Sequence, residues 1–280
     1  MKEKLVMLWK ILYPILIYLT ITVIVQLVIT NILAITIAQA NNSIDTTTLE
    51  LMLSEKIIEY SMFMNMCSGI VVIPIMYILY RKDKLYYNIK NESNKYTRYI
   101  LVAIFGISVC MGFNWLIDIS RIIELFPGFN EVANNLYGGN IIYEIVAIVL
   151  IAPILEELLF RGIIYNRLKS YSNKMIAMII SALIFALLHG NMVQGIYAFI
   201  IGLCLVYVYE KYKSLKYPMI FHAAANMFSV IVSEVTIIYD ILNNQIIYTI
   251  IGIVSLCVAV LMLVIINKSD SMRASDREEM

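Results

Sequence analysis

The stretch "LIAPILEELLFRGIIYNRL", residues 150–168, is apolar except for two adjacent glutamates, one arginine and a short polar end. Its length and hydrophobicity are typical of a helix that crosses a membrane. A carboxylate at membrane depth is costly, and ionisable groups there are functional by default. The stretch therefore predicts a membrane helix whose chemistry is carried by Glu156, Glu157 and Arg161.

The rest of the chain is equally apolar. Of its 280 residues, 61% are apolar and 15% are charged, and its mean hydropathy of +0.82 is far above that of a soluble domain. Windows of about 20 residues indicate candidate transmembrane helices near 11–38, 61–80, 99–118, 141–160, 174–189, 192–209, 218–234 and 246–266. We therefore expect an all-α, polytopic membrane helix bundle of about eight transmembrane helices, forming one integral membrane domain over 1–280. The first apolar run is longer than the ~7–15 residues of a signal peptide, so we expect it to be an uncleaved span.

The basic residues predict the orientation. All of the 21 lysines and arginines except Lys56 and Arg121 lie at the N-terminus, in segments 81–98, 161–174 and 210–217, or in the tail. Basic segments stay in the cytoplasm, so both termini are predicted to be cytoplasmic. Since topology explains the basic loops, they do not indicate a nucleic-acid partner.

Three further segments lie outside the predicted spans. We expect 41–60 to be an external loop that ends in a short amphipathic turn. We expect 119–140 to be external as well, with a turn after a short interfacial helix. The polar tail, 267–280, is predicted to be disordered.

Polar residues concentrate in the second half of the chain. Phe185-x-x-x-His189 and His222-x-x-x-Asn226 each place two side chains one helical turn apart, and these are the only two histidines in the sequence. A single buried histidine is more often a packed core residue than a functional one. Several polar groups together in membrane helices favour function over packing.

The two glutamates differ in their neighbours. Arg161 follows Glu157 by four residues, so the two share a helix face and can form an ion pair, which is often purely structural. The equivalent positions after Glu156 hold Leu159 and Phe160. An acid whose face carries no cation is the better general base, so Glu156 is the predicted base.

The helix is predicted to continue to Lys169, with a turn near residues 171–173. At the rise of an α-helix, Glu156 and His189 then lie about 22 and 25 Å from that turn, at nearly the same level, whereas His222 lies about 8 Å into its helix. Either the turn projects into the cytosol, or the helices 174–189 and 192–209 form a shallow pair that does not fully cross. We expect the first arrangement.

"EELLFRG", "FALLHG" and "HAAAN" resemble the EExxxR, FxxxH and HxxxN motifs of the CPBP or Abi intramembrane proteases. This family includes the eukaryotic prenyl protein (CAAX) endopeptidases and many bacterial relatives. The resemblance covers about residues 144–230, and we take 141–234 as the catalytic core. It implies an intramembrane endopeptidase, of glutamic or metallo type, that cuts a peptide or protein substrate near the cytosolic membrane face. Processing of a CAAX protein or of a bacteriocin or other peptide precursor would fit the family.

The resemblance also implies a role for each motif residue. Glu156 would activate the attacking water, and His189 would position it or assist proton transfer. His222 and Asn226 would stabilise the oxyanion. Glu157 and Arg161 would support Glu156 and hold its helix in place.

The residues leave the question of a metal open. Two imidazoles and a carboxylate suit zinc, and Glu156, His189 and His222 would be the ligands, but the sequence contains no HExxH arrangement. We expect metal-independent catalysis, with zinc as the alternative cofactor. The four cysteines, Cys67, Cys110, Cys204 and Cys257, stand singly in apolar spans and are expected to be core residues.

Two other functions fit the composition. One is a non-catalytic bacteriocin self-immunity membrane protein, and the other is a proton-coupled transporter, which would require paired inverted halves that the sequence does not show. In either case the lipid bilayer is the surrounding partner. The abundance of Ile, Asn, Lys and Tyr favours a multi-pass protein of a bacterial plasma membrane. The oligomeric state is not predicted.

Overall fold

In a computed structural model, the chain is described over residues 2–41, 45–89, 96–126 and 140–268, and the ordered elements in these ranges are helices. The all-α prediction is confirmed. The helices are α1 (Lys2–Ala40), α2 (Thr46–Glu59), α3 (Ser61–Tyr86), α4 (Tyr96–Ile119), α5 (Ile122–Leu125), α6 (141–171), α7 (Lys174–Leu187), α8 (Met192–Tyr212), α9 (Lys216–Glu234), α10 (Thr236–Asn243) and α11 (Gln245–Lys268).

The long helix α6 is not a regular α-helix. Its segments are α-helical at Ile141–Glu144, π-helical at Ile145–Ile151, α-helical at Ala152–Glu156, π-helical at Glu157–Tyr165 and α-helical at Asn166–Tyr171. The first π segment ends just before Pro153, which has no N–H to donate and whose ring crowds the preceding turn. A wider turn next to a proline is a common way to keep a helix continuous. The predicted end of this helix and the turn after it are confirmed, since α7 begins at Lys174.

The chain divides into two compact units, and each is described by itself. Unit 1 comprises Met1–Ile89 and Asn130–Ser181, and unit 2 comprises Lys90–Phe129 and Ala182–Met280. The motif with the two glutamates therefore lies in unit 1, and both histidine motifs lie in unit 2. The prediction of one domain over 1–280, with a catalytic core at 141–234, stays a prediction.

Unit 1 packs α1 and α3 against α6. Helices α3 and α6 approach each other closely at Gly69, where an added Cβ would lie 2.0 Å from the Ile151 Cγ2 atom. Val72 and Met76 of α3 and Ile163 of α6 are fully buried. These apolar contacts fix the helix that carries the glutamates.

Unit 2 is built around α4, which packs against α9 and α11. Its core contains fully buried side chains from all of these helices and from α8, namely Val102, Phe105, Leu205, Val208, Tyr212, Tyr217, Phe221 and Ile266. Phe105 and Phe221 meet edge to face, with ring centroids 5.1 Å apart. This core fixes the position of α9 against its neighbouring helices, and α9 carries His222 and Asn226.

Each of the eight predicted spans coincides with a helix, but not each is a full span. Among the described residues, five helices are long and apolar enough to cross a membrane, or six if α9 and α10, bent by 87°, count as one broken span. Helix α7 has 14 residues, which is about 21 Å and shorter than the ~30 Å hydrocarbon core. The count of eight and the cytoplasmic termini are not confirmed.

The segments predicted to lie outside the membrane spans can be compared with the structure. The loop expected at 41–60 is wrong, because Thr46–Glu59 forms helix α2, whose N-cap Asp45 accepts a hydrogen bond from the Thr48 amide. The short helix expected in 119–140 is present as Ile122–Leu125, and the turn after it lies outside the described residues. The predicted disorder of the tail also falls outside them, from residue 269 onward.

Candidate active site

Glu157 and Arg161 form the ion pair that their spacing predicts. Arg161 donates from a terminal guanidinium nitrogen to Glu157 Oε1 at 2.9 Å, and both side chains are 0% exposed. Taking two charges out of water is costly unless each is compensated by the other and by further hydrogen bonds. A buried ion pair of this kind holds this turn of α6 in a fixed position.

Glu156 directly precedes this pair on α6. The predicted pairing of Arg161 with Glu157 is confirmed, and the assignment of Glu156 as the base stays a prediction. A π-helical segment begins at Glu157, and because a π-helix bonds residues five apart, it turns Glu156 and Arg161 closer to a common face than an α-helix would. Glu156 is half-buried, whereas Glu157 is fully buried. Glu156 is therefore the more accessible of the two acids.

Asn166 maintains the end of the π-helical segment. Its Nδ2 donates to the carbonyl oxygens of Arg161 and Gly162, both at 2.9 Å. Where π geometry changes to α geometry, some carbonyl oxygens lack a backbone N–H donor, and a side-chain donor can supply the hydrogen bond. The sequence analysis missed this residue, although an asparagine inside a helix is itself a signal, because asparagine is a weak helix former.

The C-terminal end of α6 is held by a second arginine. Arg167 pairs with Asp83 of α3 through two bonds of 2.6 and 3.1 Å, and it donates to the Tyr13 hydroxyl of α1 at 2.6 Å. It also donates to the Lys10 carbonyl oxygen. One guanidinium thus ties three helices together, a geometry that lysine cannot reproduce. The sequence analysis counted Arg167 only as a topology signal.

In unit 2, both histidines contact one phenyl ring. The ring of Phe185, which is 2% exposed, lies 4.7 Å from the His189 ring and 6.1 Å from the His222 ring, edge to face in both cases. Helix α8 approaches this ring closely, because an added Cβ at Gly202 would lie 3.2 Å from Phe185 Cδ1. Phe185 is therefore the packing residue that places the two imidazoles near each other.

His189 is oriented by its own helix. Its Nδ1 lies 2.7 Å from the Phe185 carbonyl oxygen. A carbonyl oxygen only accepts, so Nδ1 carries the hydrogen. In the neutral imidazole this leaves the lone pair on Nε2, which is then the atom that can accept a proton or a hydrogen bond.

His222 and Asn226 lie one turn apart on α9, as predicted. His222 is 6% exposed, and Asn226 is half-buried. Ser229 continues the same face of the helix, and its hydroxyl contacts the Cys110 thiol of α4 at 3.3 Å. Ser229 was not singled out from the sequence. Of the four cysteines expected to be core residues, Cys110 is buried, Cys67 and Cys204 are half-buried, and Cys257 is exposed, so the expectation is wrong for Cys257.

The residues of the first motif are thus in place in unit 1, and those of the other two motifs in unit 2. Their predicted catalytic roles stay predictions. For the zinc alternative, the described part of the chain contains no group of three or more His, Cys, Asp or Glu side chains that could hold a metal ion. The expectation of metal-independent catalysis and the zinc alternative both stay predictions, and we derive no step through a metal.

Comparison with known families supports the resemblance. Residues 138–228 match the family described as "Type II CAAX prenyl endopeptidase Rce1-like". The matched segment contains all three motifs, from Glu156 to Asn226, and the family resemblance inferred from them is confirmed.

Three curated bacterial proteins are similar over part of their length. The chain is 32% identical over 82 residues to "Putative membrane peptidase YdiL" of Bacillus subtilis, which is 29% of this chain and 34% of the relative. It is 28% identical over 127 residues to UPF0177 protein YajF of Lactococcus lactis, 44% of this chain and 60% of the relative. It is 29% identical over 101 residues to UPF0177 protein YbdI of Lactococcus lactis, 35% of this chain and 54% of the relative.

Each match therefore spans less than two thirds of the relative. No solved structure matches the chain. With its apolar helices and bacterial relatives, the chain is a multi-pass bacterial membrane protein.

Proposed function

We propose, on the premise that residues 138–228 match the Rce1-like endopeptidase family, that this protein is an intramembrane endopeptidase. It hydrolyses a peptide bond near the cytosolic face of the membrane. The observation that supports this proposal is that the segment matching the family, residues 138–228, contains all three polar motifs. A protein that merely packs these helices has no need of an accessible acid beside a buried ion pair.

Glu156 is the proposed general base. Its carboxylate removes a proton from a water molecule, and the resulting hydroxide attacks the carbonyl carbon of the scissile bond. The protonated acid then returns the proton to the leaving nitrogen. Glu156 is more exposed than Glu157 and adjoins the buried Glu157–Arg161 pair, which supports this role because the pair fixes the helix that carries Glu156.

His222 and Asn226 are the proposed donors to the oxyanion. An imidazole N–H and an amide N–H₂ at one-turn spacing present two donors on one face of α9. Donors fixed in advance at the place where negative charge develops give the largest stabilisation of the transition state.

His189 is the proposed water-positioning residue. Its Nδ1 is held by the Phe185 carbonyl oxygen, so its Nε2 is the acceptor available to a water hydrogen.

The substrate class follows from the same premise. We propose a membrane-associated peptide or the end of a protein chain, of the CAAX type or from a peptide precursor. The proposed mechanism uses carboxylate, imidazole and amide groups and no metal ion, so we expect cleavage to persist after treatment with EDTA or 1,10-phenanthroline. Loss of cleavage on chelation and its recovery with Zn²⁺ would replace this mechanism with a metal-dependent one.

The test is a comparison of membrane peptides. Cells producing the wild-type protein, Glu156→Gln or the control Glu55→Gln are compared by mass spectrometry of their membrane fractions, at matched protein levels. Glu55 is an exposed acid of α2, so its variant controls for the loss of one charge. We expect peptides that appear with wild type and Glu55→Gln and are missing with Glu156→Gln. Identical peptide sets with wild type and Glu156→Gln would refute the proposal.

A further inference from the structure

Helix α4 lies outside the segment that matches the family, yet it contacts α9 directly next to the proposed oxyanion donors. Two residues of α4, Gly106 and Cys110, are four apart and so lie on one face. Their partners on α9 are the carbonyl groups of Phe221 and Ala225, which are also four apart. These two carbonyls belong to the peptide units that continue into His222 and Asn226.

The first contact is a close approach of two backbones. A Cβ added to Gly106 would lie 2.3 Å from the Phe221 carbonyl oxygen and 3.1 Å from its carbonyl carbon. Both are backbone atoms, which cannot move aside as the end of a side chain can. Any side chain at residue 106 would therefore displace the peptide that carries His222.

The second contact is a hydrogen bond one turn further along. The Cys110 thiol, fully buried, donates to the Ala225 carbonyl oxygen at 3.6 Å. The same oxygen accepts from the Ser229 hydroxyl at 3.3 Å, and Asn114 donates to the Cys110 sulfur at 3.7 Å. The peptide plane that leads into Asn226 is therefore held from α4 as well as from α9.

We propose that Gly106 and Cys110 are positioning residues for the oxyanion donors of α9. Gly106 sets the distance of the His222 peptide from α4, and Cys110 holds the plane of the Asn226 peptide. This inference rests on the proposed function, because it gives a role to α4 only if His222 and Asn226 stabilise the oxyanion. It assigns a part in catalysis to residues outside all three motifs.

The expected consequence is a loss of turnover without a loss of substrate binding. An interaction made only in the transition state affects kcat and leaves KM largely unchanged. Removal of one oxyanion donor costs about 10²–10³ in kcat, so we expect a displaced donor to cost about tenfold or more.

The variants are chosen in matched pairs. Gly106→Ala is compared with Gly112→Ala, which lies on the same helix but faces Leu256 of α11, where an added Cβ would meet side-chain atoms at 2.6 and 2.9 Å. Cys110→Ala removes the donor to Ala225, whereas Cys110→Ser retains a donor of similar size. The four variants and Glu156→Gln are purified in detergent, and their melting temperatures are recorded. Cleavage is measured with a synthetic copy of the precursor segment whose processing depends on Glu156 in cells.

We expect Gly106→Ala and Cys110→Ala to lower kcat with KM unchanged, and Gly112→Ala and Cys110→Ser to remain close to wild type. Equal losses in Gly106→Ala and Gly112→Ala that follow the melting temperature would overturn the inference, since they would show a merely structural role. Unchanged kcat in Gly106→Ala and Cys110→Ala would overturn it as well. If Gly106→Ala does not accumulate, the Cys110 pair decides by the same criterion. Full activity of Glu156→Gln is a different outcome, which refutes the proposed function itself.

Discussion

The ion pair of Glu157 and Arg161 is fully buried within α6. Both side chains are 0% exposed and are joined at 2.9 Å. Removal of one partner leaves an uncompensated charge in a low-dielectric interior, which costs about 3–5 kcal/mol in measured cases. The pair is therefore expected to support the fold as well as Glu156.

Glu157→Gln should destabilise the protein far more than Glu156→Gln. The first change leaves Arg161 buried without its hydrogen-bonded carboxylate, whereas the second removes a half-buried acid. Unfolding by SDS in mixed micelles, followed by circular dichroism, measures the free energy of unfolding of each variant. We expect Glu157→Gln to lose about 3 kcal/mol or more.

The double variant Glu157→Gln/Arg161→Gln is the control for this prediction. It removes both charges, so it should be more stable than Glu157→Gln alone. Equal stability of Glu156→Gln and Glu157→Gln would contradict the assignment of distinct roles to the two acids.

The order of roles between these two acids was only partly predictable from the sequence. The four-residue spacing correctly predicted the ion pair of Glu157 and Arg161. It did not predict the π-helical segment Glu157–Tyr165, because it assumed α-helical geometry. The π turn depends on how α6 packs around Pro153 and on the donation by Asn166, and neither effect is contained in a spacing rule.

At the scale of the helices, side-chain contacts hold one end of α6 against its neighbours. Arg167 fixes its C-terminal end to α1 and α3 through Tyr13 and Asp83. The side chains of Arg167 and Asp83 are 4% and 13% exposed, so little water competes with their bonds. A change at this distance from Glu156 is expected to alter the position of the whole helix.

A double-mutant cycle measures this contact. We expect Arg167→Lys and Asp83→Asn, each destabilising alone, to show a coupling energy of about 1–3 kcal/mol, because lysine keeps the charge but not the paired geometry. The exposed pair of Arg121 and Glu124, 3.7 Å apart, is the matched control, and its coupling should be close to zero. A coupling for Arg167 and Asp83 no larger than that of the control would show that this contact does not hold α6.

Helix α2 was not predicted from the sequence, although its sequence contains a signal for the start of a helix. Residues 41–60 were interpreted as a loop because they are polar, but Asp45 followed three residues later by Thr48 is an N-cap pattern. The apolar residues after it complete a helix. The sequence interpretation gave more weight to the polar composition of this segment than to its N-cap signal.

For the molecule as a whole, the helical segments were predictable and their membrane crossings were not. Every predicted span falls on a helix, since long apolar runs have few other ways to satisfy their backbone groups in a membrane. Whether a helix crosses the membrane depends on its length, and α7, with 14 residues, is too short for a full span by itself. Hydropathy windows detect apolarity, but they do not detect the bends and breaks that set how far a helix reaches.

The cytoplasmic location of both termini is a prediction at this scale. A C-terminal fusion to green fluorescent protein should be fluorescent, and a fusion of alkaline phosphatase at the same place should be inactive, because the basic segments retain that end in the cytoplasm. A second pair of fusions in segment 41–45, between α1 and α2, should give the reverse result. Active phosphatase at the C-terminus would contradict the predicted topology.

The most direct test of the central claim is hydrolysis by the purified protein in H₂¹⁸O. The substrate is the synthetic precursor segment identified by its dependence on Glu156, and the product is analysed by mass spectrometry. With the wild-type protein, the new C-terminal carboxyl group should carry ¹⁸O from the attacking water. With Glu156→Gln the rate should fall by about 10²-fold or more, as expected for the loss of a general base. Cleavage by Glu156→Gln at the wild-type rate would contradict the claim that this acid activates the water.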